Sequence, residues 1–347
     1  MAAETTKAEL NAEQARRLLA PIGAVAIESI ERLESINTVF RIATAGHGVY
    51  YAKFHTARWY ADQPDTFFVV NRECAVPALL RKFGLALPYP SWGEYTRGIV
   101  PRSVFLCGDL GGTAAPDAIL AHPDQADDIL RALGRYLRRL HSIEFSLPGL
   151  IEPAHAEFAQ PGQPVPPVYA WPFLADPAAA DQADALQKVP EAQTAGALTA
   201  ETAASLKRLL ADMAQIVRPF YHPPHFAVGN CHVHHFHVER TAAGWSVRGF
   251  YDFEGARAGN PLMDLVGIED TLAPRLRSFA WRKPFYEGYG GWPPLQAFKM
   301  QLIADALLSY RTRPPGRRIP DHLWFDTQWP RLIAAQSWSD LTWYPTE

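Results

Sequence analysis

The 347-residue chain has little cysteine: three residues, Cys74, Cys107 and Cys231, an odd count with no CxxC spacing. That excludes a disulfide-stapled scaffold and suits a reducing compartment, so a cytoplasmic location is expected. Charge of one sign is also lacking. Thirty-three Lys and Arg stand against 36 Asp and Glu, a formal net charge of −3. No global basic field draws nucleic acid or an anionic membrane, and any bound phosphate must be held by local groups. No apolar run approaches the roughly 18 to 20 residues needed to cross a bilayer. Residues 1–14 lack the basic and apolar regions of a signal peptide, so neither secretion nor membrane insertion is expected. No internal repeat is visible. What is present is an ordinary folding composition, 48% hydrophobic and 20% charged, in a chain long enough for two lobes.

Apolar spacing over residues 11–19 predicts a short helix, stopped by Pro21-Ile-Gly23. Three β-rich runs follow, 24–33, 38–43 and 49–54, separated by short polar turns, which predicts antiparallel strands. Cys74, Val76, Leu79, Leu80 and Phe83 give residues 72–83 a helical period. Residues 99–107 are strand-like again, and Gly108-Asp-Leu-Gly-Gly112 breaks them. A helix over 127–141, with Ile129, Leu130, Leu133, Leu137 and Leu140 on one face, opens a helix-rich second lobe. The Pro- and Ala-rich stretch 153–190 is expected to be an ordered wrap or loop rather than a helix.

Two stretches carry candidate chemistry. In Gly48-Val-Tyr-Tyr-Ala-Lys-Phe54, alternation places Lys53 among apolar neighbours, where an isolated ammonium is costly without a partner; Glu73, on the following helix, is the partner expected. The bland alternative is a surface lysine and a solvated glutamate. The second stretch is Phe226-Ala-Val-Gly-Asn-Cys-His-Val-His-His-Phe-His-Val238, followed by Tyr251-Asp-Phe-Glu-Gly-Ala256. Its histidines with Cys231 invite a zinc site or a metal-dependent hydrolase. A zinc site needs converging ligands, and strand alternation sends His234 and His235 to opposite faces, so an independent zinc centre is not expected.

These two stretches resemble the aminoglycoside phosphotransferase/choline kinase family, whose catalytic loop reads H-G-D-x-x-x-x-N and whose metal-binding strand ends in I-D-[WF]-[EG]-x-A. Aligned on Gly229, the loop has Val228 for the histidine, Asn230 for the aspartate and His235 for the asparagine, while Asp252 is retained. Gly255 to Leu265 is similar to the family's G-D-P-x-x-D-L segment, with Asp264 as the buried carboxylate that ties it to the loop. Phe285-Tyr-Glu-Gly-Tyr289 is similar to a later family helix. The matches run in family order from about Glu31 to Tyr289.

The resemblance implies an α+β, bilobal protein-kinase-like fold: an antiparallel-sheet lobe over residues 1–109 and a helical lobe over 110–347 carrying the catalytic loop and acceptor site. It implies an ATP-dependent phosphotransferase acting on a hydroxyl of a small polar molecule, with Mg or Mn. Lys53 and Glu73 then serve the nucleotide, as do Ser35 and Asn37 in the glycine-free turn Leu33-Glu-Ser-Ile-Asn37 and the backbone of Leu106 and Cys107, which would take the adenine edge. Asp252 and His235 take the metal positions; imidazole there suits Mn better than Mg. Asn230 and His232 take the catalytic positions. An amide cannot act as a base near neutral pH but can orient a hydroxyl. Loss of the aspartate raises the competing reading of a pseudokinase that binds nucleotide or ligand and transfers little.

Overall fold

The computed structural model describes residues 9–56, 66–167, 176–311 and 329–342. The chain divides into two compact units, one of Met1–Gly111 with Ile151–Pro161 and Asp252–Glu254, the other of Gly112–Leu150, Gly162–Tyr251 and Gly255–Glu347. The first therefore borrows two short segments from far along the sequence.

In the first unit, helix α1 (Ala12–Leu18) starts at a capping box in which Asn11 and Gln14 satisfy each other's backbone N–H groups. Strands β1 (Ile27–Leu33), β2 (Thr38–Thr44), β3 (Gly48–Phe54), β4 (Ser91–Glu94) and β5 (Val104–Gly108) form an antiparallel sheet in the order β1-β2-β3-β5-β4. Burial alternates strictly along β2 and β3. Phe40, Ile42, Tyr50, Ala52 and Phe54 thus pack one face, with Leu18, Leu19, Val104 and Leu106. Lys53 and Tyr51 point to the other face by the same period of two. Phe54 is 1% exposed, and truncating such a side chain to alanine costs about 3–5 kcal/mol. Helix α2 (Phe67–Lys82) buries Val69, Val70, Glu73, Val76, Leu79 and Leu80.

The strand β4 was not among the sequence expectations, because Trp92 sits in a short run directly after Pro88-Tyr-Pro90. The strand expected over 99–107 is confined to β5, and α2 begins five residues before the apolar period that predicted it. The larger correction concerns 153–190. That stretch contains helix α5 (Pro153–Phe158), which belongs to the first unit, and in the second unit the long helix α6 (Pro177–Thr194). Pro153 and Pro177 occupy first-turn positions, where a missing N–H costs nothing and the fixed φ favours the helix. The Asp176 carboxylate accepts from Ala179 N at 3.1 Å and completes the start of α6. Residues 168–175, including Pro172, lie outside the described residues.

The second unit is mainly helical. Strand β6 (Thr113–Ala114) leads into α3 (Ala115–Ala121) and α4 (Ala126–His141), and β7 (Gly149–Leu150) follows. Beyond α6 come α7 (Ala200–Leu210) and α8 (Met213–Val217), then β8 (His225–Ala227), β9 (Phe236–Thr241), β10 (Gly244–Phe250) and β11 (Arg257–Gly259). Helices α9 (Leu262–Leu276), α10 (Arg282–Tyr289), α11 (Leu295–Arg311) and α12 (Trp329–Ala334) complete it. Among the described residues the strands make two small sheets, β10-β9-β6 and β7-β11-β8. Helices α4 and α10 approach closely because each offers a glycine: a Cβ on Gly134 would fall 2.1 Å from Phe285 O, and one on Gly288 2.2 Å from Arg131 O. No described helix is long and apolar enough to cross a membrane.

Candidate active site

Lys53 is the hub of a buried charge cluster in the first unit. Its Nζ donates to Glu73 Oε1 at 2.9 Å and to Asp252 Oδ1, and lies 3.2 Å from Glu254 Oε2. Glu73 is fully buried on α2, and His55, two residues beyond Lys53 and so on the same side of the chain, brings Nε2 to 2.8 Å from Glu73 Oε2. Asp252 sits at φ +73, the left-handed region that a non-glycine residue rarely enters. The segment Asp252–Glu254 is held by its neighbours. Asn37 donates through Nδ2 to Glu254 Oε2 at 3.0 Å while its Oδ1 accepts from Thr56 N at 3.1 Å, and Arg72 Nη1 donates to Glu254 O at 2.5 Å.

The cluster sets its own protonation. Burial by itself would lower the Lys53 ammonium, but Glu73, Asp252 and Glu254 overturn that and hold it well above its ordinary value. Burial pushes Glu73 up, and Lys53 and His55 more than reverse it, so Glu73 ends below the usual carboxylate range. Glu254 goes the other way: burial raises it, Lys53 compensates only in part, and the Asp252 and Glu73 carboxylates add to the rise. Three carboxylates around one ammonium leave a surplus of negative charge.

The loop after β8 belongs to the second unit. Gly229 adopts φ +74, and a Cβ there would lie 2.0 Å from Gly255 O, so only glycine fits. Asp264, fully buried in the first turn of α9, accepts from Val228 N at 2.7 Å and from Gly229 N at 2.9 Å. His141 Nε2 is 3.0 Å from the same carboxylate and its Nδ1 is 2.8 Å from Tyr289 Oη. A neutral ring that donates from Nε2 to the carboxylate would accept from the tyrosine hydroxyl at Nδ1. The loop is thus anchored by its backbone, and replacement of the usual histidine by Val228 leaves that anchor in place.

Asn230 is half-buried, and His232 N donates to its carbonyl at 2.9 Å. Residues Val233–His235 then form a 3-10 turn, with Val233 N donating to Thr271 Oγ1 at 3.0 Å. This turn corrects the strand alternation expected for His234 and His235. Their ring centroids are 4.2 Å apart, His232 stacks on His234 at 5.4 Å, and His235 lies 5.0 Å from the Tyr251 ring. The rings pack as aromatics. Among the described residues no three His, Cys, Asp or Glu side chains are grouped to hold a metal ion.

The expected site residues are therefore distributed unevenly. Lys53, Glu73 and Asp252 come together in the first unit, and Asn37 joins them through Glu254, so its amide is committed to the protein. Ser35 is exposed in the β1–β2 turn. Leu106 and Cys107 lie in β5 between β3 and β4, in register with Ala52 and Trp92 and with Tyr51 and Ser91. A strand paired on both edges spends its N–H and C=O groups on the sheet, which corrects the expectation that these two residues offer backbone to an adenine edge. Asn230, His232 and His235 share the second-unit loop. Sequence reasoning missed His55, Arg72 and Glu254. The first could have been found from its two-residue offset from Lys53, and Glu254 from its place in the same motif as Asp252.

No curated protein sequence matches the chain. Among solved structures, the GDP complex of aminoglycoside 2'-phosphotransferase-IIIa is similar at TM-score 0.59 and 15% identity, over 93% of this chain and 97% of that one. An ethanolamine kinase of Plasmodium vivax gives 0.53 at 11% identity, over 88% and 80%. A macrolide 2'-phosphotransferase type I gives 0.52 at 15%, over 87% and 91%. At these identities the likeness concerns the fold, which is the bilobal kinase-like one. The model of the phosphotransferase enzyme family matches residues 29–298, from β1 through the start of α11. The chain belongs to the phosphotransferase enzyme family.

Proposed function

We propose that the protein transfers the terminal phosphoryl group of a purine nucleoside triphosphate, ATP in the first instance, to a hydroxyl of a small polar molecule. The observation that carries this reading is the cluster of Lys53, Glu73 and Asp252, a cation only 14% exposed, held by one carboxylate and set beside another. Phosphoryl transfer is mostly positioning and charge neutralisation, and these are the parts it needs. Lys53 supplies positive charge to the phosphates, and Glu73 with His55 holds it there.

A divalent metal fits the donors present. Asp252 would hold it, with Glu254 beside it; both offer hard carboxylate oxygens. Magnesium commonly takes one or two carboxylates plus phosphate oxygens, and Asp252 and Glu254 are two such carboxylates. The ion, when bound, neutralises charge developing on the transferred group. On the acceptor side Asn230 orients the hydroxyl through its amide oxygen without taking the proton. That omission lowers turnover by about 10²-fold or more relative to a carboxylate. The same amide supports the second reading, a nucleotide-binding protein that transfers little.

An assay with ATP and with GTP, each with Mg²⁺ or Mn²⁺, against a panel of hydroxyl compounds including aminoglycosides, macrolides and ethanolamine separates the two. Acceptor-dependent phosphorylated product that disappears in Asp252→Asn supports the transferase. Nucleotide binding without product for any acceptor supports the binding protein.

A further inference from the structure

The second unit holds a cavity of about 370 Å³ between α4, α9 and α10, within the range that takes a small molecule. Arg138 and His141 line it from α4, Leu262 and Leu265 from α9, and Tyr289 and Trp292 from the end of α10 and just beyond. Leu262 and Leu265 are almost fully covered by their neighbours, so the apolar surface on offer is aromatic: Trp292 is 43% exposed. One guanidinium and no carboxylate belong to the lining. Arg138 lies flat against the end of α10, since a Cβ on Gly290 would fall 2.2 Å from its Nη1. Arg138 is itself exposed, and an accessible guanidinium beside an aromatic surface favours a planar apolar anion.

The floor of this cavity is also the outer end of the loop anchor. Tyr289 and His141, both in the lining, are joined by the 2.8 Å hydrogen bond described above; His141 bonds to Asp264, and Asp264 holds Val228 N and Gly229 N. A group that moves the Tyr289 hydroxyl therefore acts on the backbone of the loop that carries Asn230 and the histidines. We propose that the cavity binds a small aromatic carboxylate, its ring on Trp292 and its carboxylate on Arg138, and that occupancy is transmitted to the loop through Tyr289, His141 and Asp264. This holds whether or not the loop catalyses transfer, because binding and loop response are both read without turnover.

The test uses 1-naphthoate, with 1-naphthalenemethanol and 1-naphthylmethylamine as neutral and cationic probes of the same ring, titrated calorimetrically into the full chain. Naphthoate should bind saturably and at least about tenfold more tightly than either analogue, the worth of one charge-assisted hydrogen bond. Arg138→Gln should erase that preference, and Ser142→Trp, at an exposed lining position, should block all three. Histidine-labelled protein should show naphthoate shifting ring signals of His141 and of His232, His234 and His235, and Tyr289→Phe should keep the binding while losing the loop shifts. Absence of saturable binding, equal binding of the three probes, or binding indifferent to Ser142→Trp overturns the site. Shifts confined to His141, or loop shifts that survive Tyr289→Phe, overturn the coupling.

Discussion

The cluster around Lys53 and the loop around Asn230 match the same family pattern, yet the first keeps every charged group and the second keeps its supports while changing its reactive positions. The difference has a physical reason. Glu73 is fully buried, the side chains of Lys53, Asp252 and Glu254 are only 14%, 16% and 11% exposed, and Lys53 contacts all three carboxylates, so removing the lysine leaves them uncompensated. In the loop, the fold depends on Gly229, on Asp264 and on backbone N–H groups, whereas Asn230 is half-buried. Exchanging a carboxylate for an amide there costs the fold little. A side chain can be exchanged at such a position, whereas the lysine among the carboxylates cannot be removed without leaving their charge unpaired.

The comparison breaks first at Asp252. Asparagine tolerates its left-handed backbone, so Asp252→Asn should fold and lower transfer by about 10³-fold or more in steady-state kinetics, because it removes a charge aimed at the metal and phosphates. A loss smaller than tenfold would mean the cluster is structural only. Next, Lys53→Met should cost about 3–5 kcal/mol in urea unfolding by leaving the carboxylates unpaired; a change under about 1 kcal/mol would remove the reason given for the cluster's retention. In the loop, Asn230→Asp should raise turnover by about 10²-fold with little change in stability. A wild-type rate already at about 1 to 10³ s⁻¹ that falls in this variant would assign Asn230 a different mechanism.

Smaller effects sharpen the contrast through pH. The Glu73 value is lowered on folding, so its contribution is present above the ordinary carboxylate range and disappears as pH falls through the lowered value. Glu73→Gln should therefore destabilise the protein at pH 7 and converge with wild type in acid. Glu254 is raised, which reverses the sign: its contribution favours folding in acid and is lost as pH rises through the raised value. Glu254→Gln, which keeps an acceptor for Asn37, should be slightly more stable than wild type at pH 7 and lose that advantage below about pH 4. Unfolding curves across pH would contradict the charge surplus if both variants moved in the same direction. The smallest change is expected for His235→Asn, which should shift activity a few-fold from Mn²⁺ toward Mg²⁺; an unchanged metal preference would show that His235 never meets the ion.

Much of this was legible because it depends on local pattern or on a charge that must be paired. The alternation along β3 exposed Lys53, the apolar stripe exposed α4, and Gly229 and Asp264 stand at motif positions with backbone duties. The rest depends on contacts that no local pattern encodes. Glu254 and Arg72 meet 182 residues apart, and β4 is a strand because β5 needs a partner edge. Prolines argued against helix in 153–190 by count, when their position at helix starts argues for it. The turn at Val233–His235 escaped because alternating His and Val or Phe imitates a strand.

The most direct measurement is a calorimetric titration of ATP, then GTP, with Mg²⁺ and with Mn²⁺ into wild type and Asp252→Asn. The account predicts saturable binding of at least one nucleotide that requires the metal, stabilises the fold by about 2.7 kcal/mol at a hundredfold excess over Kd, and loses its metal dependence in Asp252→Asn. No binding of either nucleotide with either metal, or metal-dependent binding that is the same in the two proteins, would contradict it.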